Sequence, residues 1–193
     1  MQLSFTRQIP LSNWSVFKSQ GSRETQQATF SELDCSDRDD IEVIRKADSS
    51  LRFKGSIATN MNKKYIADYD TQEHFYVLQA KNNEVIGICE TYEDKEQIQV
   101  DYISTVKSNK SHDTKIVTKY PYSGASMIQA LAQKALDEKK KLRIEHPTNT
   151  ATSFYEACGL NHGLFGDYYF KNHSQLQRLI DSIEEKKKAK AGI

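Results

Sequence analysis

The sequence predicts a mixed α/β fold on a mostly antiparallel central sheet, and three observations carry that expectation. The runs "HFYVLQA", "NNEVIGICETY" and "QIQVDYISTV" are rich in β-branched and aromatic residues and are separated only by short charged turns, which is the pattern of an antiparallel meander. Downstream, "SMIQALAQKAL" repeats apolar residues at helical spacing and feeds the short apolar run "LRIE". A helix between two strands of one sheet makes a crossover, and the crossover makes a parallel pair. The chain has 193 residues, which favours one substantial core over two.

The elements follow in order. Residues 1–28 are rich in Ser, Gln and Thr with isolated apolar anchors at Phe5, Trp14 and Phe17, and they read as an irregular N-terminal arm. "ATFSEL" alternates as a strand does. Ser36, with Asp39 three residues on, opens a first helix in which Ile41, Ile44 and Ala47 recur at helical spacing, acids leading and bases following. The meander comes next, and residues 107–118, "KSNKSHDTKIVT", leave the sheet as a polar excursion.

The main helix then carries Met127, Ile128, Leu131, Ala135 and Leu136 on one face and closes in "DEKKK". After "LRIE" comes a shorter helix, "NTATSFYEACGL", with Gly159 as its C′ residue. "DYYFK" is a last strand. Ser174 and Gln177 form a capping-box pattern for a final helix with Leu176, Leu179, Ile180 and Ile183, expected to fray in "EEKKKAKAGI". The organisation is an arm (1–28), a domain (29–173) and a C-terminal helix with a basic tail (174–193).

Composition narrows the function classes. Lys and Arg total 27 against 26 Asp and Glu, a net charge of +1, so no global field draws the chain to nucleic acid or an anionic membrane. The lysines of "KKKAKAGI" read as a solvated tail, and a nucleic-acid partner is not expected. Three cysteines, Cys35, Cys89 and Cys158, are far apart without CxxC spacing or a histidine set, so neither a disulfide scaffold nor a metal site is expected. No apolar run approaches about 18 residues and no secretion signal pattern leads the chain; a soluble, cytoplasmic protein, monomer or homodimer, is the expectation.

The stretch "KYPYSGASMIQALAQKAL", residues 119–136, is the first candidate for chemistry. An anion at the helix start near Gly124 would meet free backbone N–H groups and the positive end of the helix dipole. Ser123 and Ser126 add hydroxyls, and Lys119 adds a charge. The same residues also suit an ordinary turn, with Ser123 as N-cap and the glycine easing the bend. Taken alone, the stretch leaves both readings open.

Together with "ATSFYEACGL" it resembles the GNAT superfamily of N-acetyltransferases, in which a Q/R-x-x-G-x-G/A loop grips the acetyl-CoA pyrophosphate and an A-x-x-F-Y-E-x-x-G-F helix lies downstream. Lys119 takes the Q/R position, Tyr122 that of the first glycine and Gly124 that of the second. Ala151, Phe154, Tyr155, Glu156 and Gly159 match the later motif, with Leu160 for its final aromatic. The resemblance covers roughly residues 28–171. It implies the GNAT-like (acyl-CoA N-acyltransferase) fold with helices on both faces of the sheet, and acetyl-CoA as donor with no metal. Two departures stand out. Tyr122 replaces a glycine, so its turn needs a φ open to an aromatic residue. Thr148 stands where the family often has Asn, with Asn149 one place later.

The resemblance further implies that the fourth strand, "QIQVDYISTV", splays from the fifth. Ile103 and Thr105 then offer backbone contacts to the pantetheine, and Ser123, Gly124, Ala125, Ser126 and Asn149 join the cofactor contacts. Tyr155 would protonate the departing thiolate. A lysine-like amine of pKa about 10.4 is only about one part in a thousand neutral at pH 7, so a base is useful. Glu90 and Asp101 are the candidates, with Asp101 favoured because a carboxylate within an apolar strand must face a cleft, pair, or bear a desolvation cost. Cys158 reads as core. The acceptor would be an amine of a protein, a peptide or a small molecule. A GNAT-fold binding or interaction module without efficient catalysis is the alternative.

Overall fold

A computed structural model describes residues 7–8, 15–19, 21–67, 72–107, 118–145, 147, 151–164 and 168–192. The strands are β1 (Arg7–Gln8), β2 (Ser15–Phe17), β3 (Thr25–Glu32), β4 (Glu73–Ala80), β5 (Val85–Glu93), β6 (Gln97–Thr105), β7 (Lys141–Glu145), β8 (Asn161–His162) and β9 (Tyr168–Lys171). The helices are α1 (Arg38–Lys46), α2 (Lys54–Ala67), α3 (Ser123–Asp137), α4 (Thr152–Cys158) and α5 (His173–Ala191). The sheet runs β1-β3-β4-β5-β6-β7-β9-β8, with β2 also paired to β3. Every pairing is antiparallel except β6 with β7, the parallel pair that the α3 crossover requires.

Both faces of the sheet are covered. Tyr76, Leu78, Cys89, Ile98, Val100, Leu142 and Ile144 pack against α3, α4 and α5, in a core with Met127, Ile128, Leu131, Tyr155, Leu176 and Leu179. Phe75, Val77 and Ile88 face the other way, toward Ile41 and Ile44 of α1 and Ile57 and Met61 of α2. With both of its faces buried, β4 reads as a nearly continuous apolar run. Gly87 lets α3 approach closely, because a Cβ there would lie 2.8 Å from the Met127 sulfur.

The observed elements contain the expected order and add to it. The arm supplies β1 and β2, and Val16 and Phe17 are fully buried, so its described part is sheet rather than irregular chain. α2 is an addition to the expected elements: "KGSIATNMNKKYIA" carries a Gly, a Thr and two Asn, and its buried core residues are Ile57 and Met61, one turn apart, with Ala58 partly buried beside them.

Three caps differ from expectation. Asp37, not Ser36, caps α1 by accepting from the Asp39 N–H at 2.8 Å. Tyr122 and Asn172 stand at the N-caps of α3 and α5 without a side-chain capping bond, so neither Ser123 nor the Ser174–Gln177 box plays that part. Gly159 does close α4 in the left-handed region, at φ 90°. The final helix runs on through the lysines to Ala191, and Lys187 is buried against α3.

Candidate active site

β6 outruns its parallel neighbour. Gln97, Ile98, Gln99 and Val100 pair with Lys141, Leu142, Arg143 and Ile144, and β7 then ends at Glu145 while β6 continues to Thr105. Beyond Val100 that edge of β6 has no strand partner among the described residues. The Val106 N–H donates to the Ile86 carbonyl on the β5 side, at 3.1 Å. Backbone groups alternate along a strand, so the N–H groups of Thr105 and Ile103 are turned to the open edge.

At the mouth of this slot lies the start of α3. Tyr122 sits at φ 68°, ψ 4°, the left-handed conformation a glycine would adopt at no cost, and so it keeps the turn despite its side chain. The Ser123 N–H returns to the Tyr120 carbonyl at 3.2 Å, and the Ser126 N–H reaches the Tyr122 carbonyl at 2.8 Å. The N–H groups of Gly124 and Ala125 have no backbone partner among the described residues. The Ser123 hydroxyl is buried beside them and likewise has none.

A Cβ on Gly124 would lie 3.1 Å from the Phe154 ring and 3.7 Å from the Thr105 methyl. Helix start, strand end and the α4 aromatic therefore converge. Donors without acceptors among the described residues, on a backbone that carries no side chain at Gly124, fit an anionic group. Ser126 is fully buried one turn along. Lys119 is committed elsewhere: its ammonium bonds Glu84 at 2.8 Å and lies over the Tyr120 ring, and Glu84 is the first cause that raises its pKa. Asn149 and Thr148 lie outside the described residues.

Two further groups stand on opposite faces of the sheet beside β6. Tyr155 of α4 is buried among Phe154, Tyr169 and the sheet, and burial followed by the neighbouring Cys89 pushes its phenol well above the ordinary range. Cys89 stands across the ladder from Ile103, which puts Tyr155 at the level of the open edge. Its hydroxyl has no hydrogen-bond partner among the described residues. Cys158 is buried in the core, as expected, with its thiol pushed up to about 12 by burial.

Glu90 lies on the α2 face. The β5–β6 register shifts between Glu90 and Thr91: Thr91 pairs with Val100 and Glu90 with Tyr102, leaving Asp101 as the extra residue of a bulge. The bulge resets the parity of β6, so Ile98, Val100 and Ile103 all join the α3-side core while Tyr102 joins the α2-side core. Glu90 is only 3% exposed, accepts from the Asn60 amide of α2 at 2.8 Å, and its second oxygen has no partner among the described residues. Burial raises its pKa to about 7 against the pull of Asn60, with the charges of Glu73 and Asp101 adding to the rise. Asp101 is half-buried and accepts from the Gln99 amide at 2.9 Å. Asp101 stands out in the sequence as a carboxylate within an apolar strand, and strand pattern does not reveal the bulge that sets it apart. What separates the two is depth: Glu90 is the fully buried carboxylate.

Among the described residues no group of three or more His, Cys, Asp or Glu stands together as a metal ligand set, and no helix is long and apolar enough to cross a membrane. No protein-family model matches the sequence, and no curated protein matches it either. Solved structures do share its architecture. AtaTR bound with acetyl-CoA superposes with a TM-score of 0.53 at 14% identity over 79% of this chain and 97% of that one. Apo FdhC, a nucleotide-linked sugar GNAT, gives 0.52 at 11% identity over 91% and 98%, and the KacTA–DNA complex gives 0.51 at 12% over 80% and 99%. The fold of this chain is the GNAT fold, a mixed sheet with helices on both faces.

Proposed function

We propose that this chain is an acetyl-CoA-dependent N-acetyltransferase that moves the acetyl group directly onto an amine. One observation carries the reading. The open edge of β6 starts at two helix-start N–H groups that have no backbone partner among the described residues, and further along β6 the buried Tyr155 and the buried Glu90, cross-strand from Tyr102, stand on opposite faces of the sheet. A thioester with a long amide-bearing arm and a pyrophosphate is the shape and chemistry that this arrangement suits. That AtaTR, of the same fold, was solved with acetyl-CoA bound supports the choice of donor.

The Gly124 and Ala125 N–H groups and the Ser123 hydroxyl would hold the pyrophosphate, with the helix dipole behind them and Ser126 one turn along. Tyr122 sets the turn. The N–H groups of Ile103 and Thr105 would pair with the amides of the arm. The donor supplies an acetyl group already activated as a thioester. Glu90, at a pKa of about 7, takes the proton from the incoming ammonium, directly or through a water, and leaves a neutral amine to attack the acetyl carbonyl. Tyr155 donates a hydrogen bond or proton to the departing sulfur. Asp101 and Glu73 are carboxylates near Glu90, and their charge favours an acceptor that arrives as a cation.

The acceptor class is an amine, on a protein, a peptide or a small molecule. The test is an acceptor screen read by mass spectrometry with the full chain and acetyl-CoA. Expected is a gain of one acetyl group on an amine, absent with Glu90→Gln and Tyr155→Phe. Equal acetylation by wild type and both variants would reject the site.

A further inference from the structure

The left-handed turn at Tyr122 needs an explanation, since an aromatic residue at φ 68° is strained where a glycine would not be. Among the described non-glycine residues with positive φ, Asn83 lies in a turn and Lys139 just beyond the end of α3. Tyr122 alone opens a candidate ligand site.

Two elements remote in sequence grip it. From β2, the Phe17 N–H donates to the Pro121 carbonyl at 3.1 Å, and the Phe17 ring lies 5.5 Å from the Tyr122 ring. From α5, the Lys190 ammonium sits over both rings, 4.6 Å from the centroid of Phe17 and 5.3 Å from that of Tyr122. The Tyr122 hydroxyl is directed at the Lys186 carbonyl, a long contact at 3.4 Å. The side chain that makes the turn costly is thus the handle by which the turn is held.

We propose that Lys190 is a positioning residue for the anion site: clamped with Phe17 on the Tyr122 ring, it keeps the turn left-handed and so keeps the Gly124 and Ala125 N–H groups clear for phosphate. The inference rests on the reading of this slot as an acetyl-CoA site. It makes the C-terminal helix, whose lysines the sequence suggests are a solvated tail, part of cofactor binding. Lys190 acts through Tyr122 and need not touch the ligand.

A double-mutant cycle on the full chain tests this role, because glycine at 122 adopts the turn unaided and removes the need for the clamp. Acetyl-CoA affinity is measured by calorimetry for wild type, Lys190→Ala, Tyr122→Gly and the double variant. Urea midpoints without cofactor are measured for the same four chains. Lys190→Ala should weaken acetyl-CoA about three- to tenfold in the Tyr122 chain and less than about twofold in the Tyr122→Gly chain. Lys190→Arg should retain affinity, since a guanidinium lies on aromatic rings equally well. The midpoints should be non-additive.

Equal loss of affinity in both backgrounds would mean that Lys190 acts by charge alone and would overturn the role, as would no loss in either. Additive midpoints would overturn the clamp itself. A wild-type chain that binds no acetyl-CoA while its midpoints stay non-additive would remove the functional reading and the positioning role with it, and leave only a structural contact.

Discussion

Asn60 of α2 donates its amide to Glu90 Oε1 at 2.8 Å, while Glu90 Oε2, buried beside it, has no partner among the described residues. The carboxyl is therefore half satisfied in a site that disfavours its charge, and its pKa of about 7 follows chiefly from burial. Such a group titrates in the range where a base is most useful. The acidic limb of kcat/KM should have its midpoint near pH 7, and Glu90→Gln should lose about 10²- to 10⁴-fold in rate together with that limb. Asn60→Ala should move the limb upward, because the amide bond holds the pKa down. An unchanged limb in Glu90→Gln would assign the base elsewhere.

The same group predicts a stability profile. Its folded pKa, about 7, lies above the ordinary glutamate value of 4.5, so the folded chain holds a proton that the unfolded chain releases. The resulting stability is fully present below about pH 4.5 and is lost as pH rises through about 7. Urea midpoints across that interval should fall more steeply in wild type than in Glu90→Gln. Parallel curves would contradict the raised pKa.

Tyr155 packs between Phe154 and Tyr169 with ring centroids 5.1 and 5.5 Å away. Its hydroxyl has no hydrogen-bond partner to lose among the described residues. Tyr155→Phe should therefore keep stability within about 1 kcal/mol and acetyl-CoA affinity nearly unchanged while turnover falls. Turnover equal to wild type would remove Tyr155 from the acid role.

Glu93 ends β5, the strand that carries Glu90. It accepts from the Tyr76 hydroxyl at 2.6 Å, from Thr91 at 3.1 Å and from the Lys134 ammonium of α3 at 2.7 Å. Removing one member of a buried charged set leaves the others uncompensated. Glu93→Ala should destabilise by about 3–5 kcal/mol, as read by chemical denaturation. Because the network lies at the closed end of the β6–β7 pair, the affinity of the folded fraction for acetyl-CoA should be unaffected.

Lys187 of α5 is buried and donates to Gln129 of α3 at 2.7 Å, with its pKa lowered to about 8, first by burial. Here the sign reverses. The folded chain gives up a proton that the unfolded chain keeps, so stability should rise with pH from about 8 toward 10.5. Lys187→Met should flatten that rise, and an identical slope in the variant would contradict it.

The meander, the crossover and the Gly159 cap were legible because each rests on local pattern: β-branched runs, helical spacing, and a glycine after the last helical residue. α2 was not, since its two core residues are too few to show a period. Nor was the bulge at Asp101, which depends on pairing and decides which carboxylate is buried. The start of α3 was legible as a helix terminus, but the contacts that hold its turn were not. Tyr122 in the position of a glycine raised the question of φ, and the answer lies in Phe17 and Lys190, residues about 105 and 68 positions away that no local pattern connects. The lysines of the C-terminal run read as solvent-facing because composition cannot tell Lys187, buried, from its exposed neighbour Lys188.

Acetyl-CoA is proposed to bind along the open edge of β6 with its pyrophosphate at the start of α3. Calorimetric titration of the full chain with acetyl-CoA, beside Gly124→Val, tests it most directly. Saturable one-to-one binding is expected of wild type. A loss of about tenfold or more is expected of the variant, whose side chain would fill the space between Phe154, Thr105 and the Gly124 and Ala125 N–H groups. No heat of binding at millimolar acetyl-CoA, or equal affinity in the two chains, would contradict it.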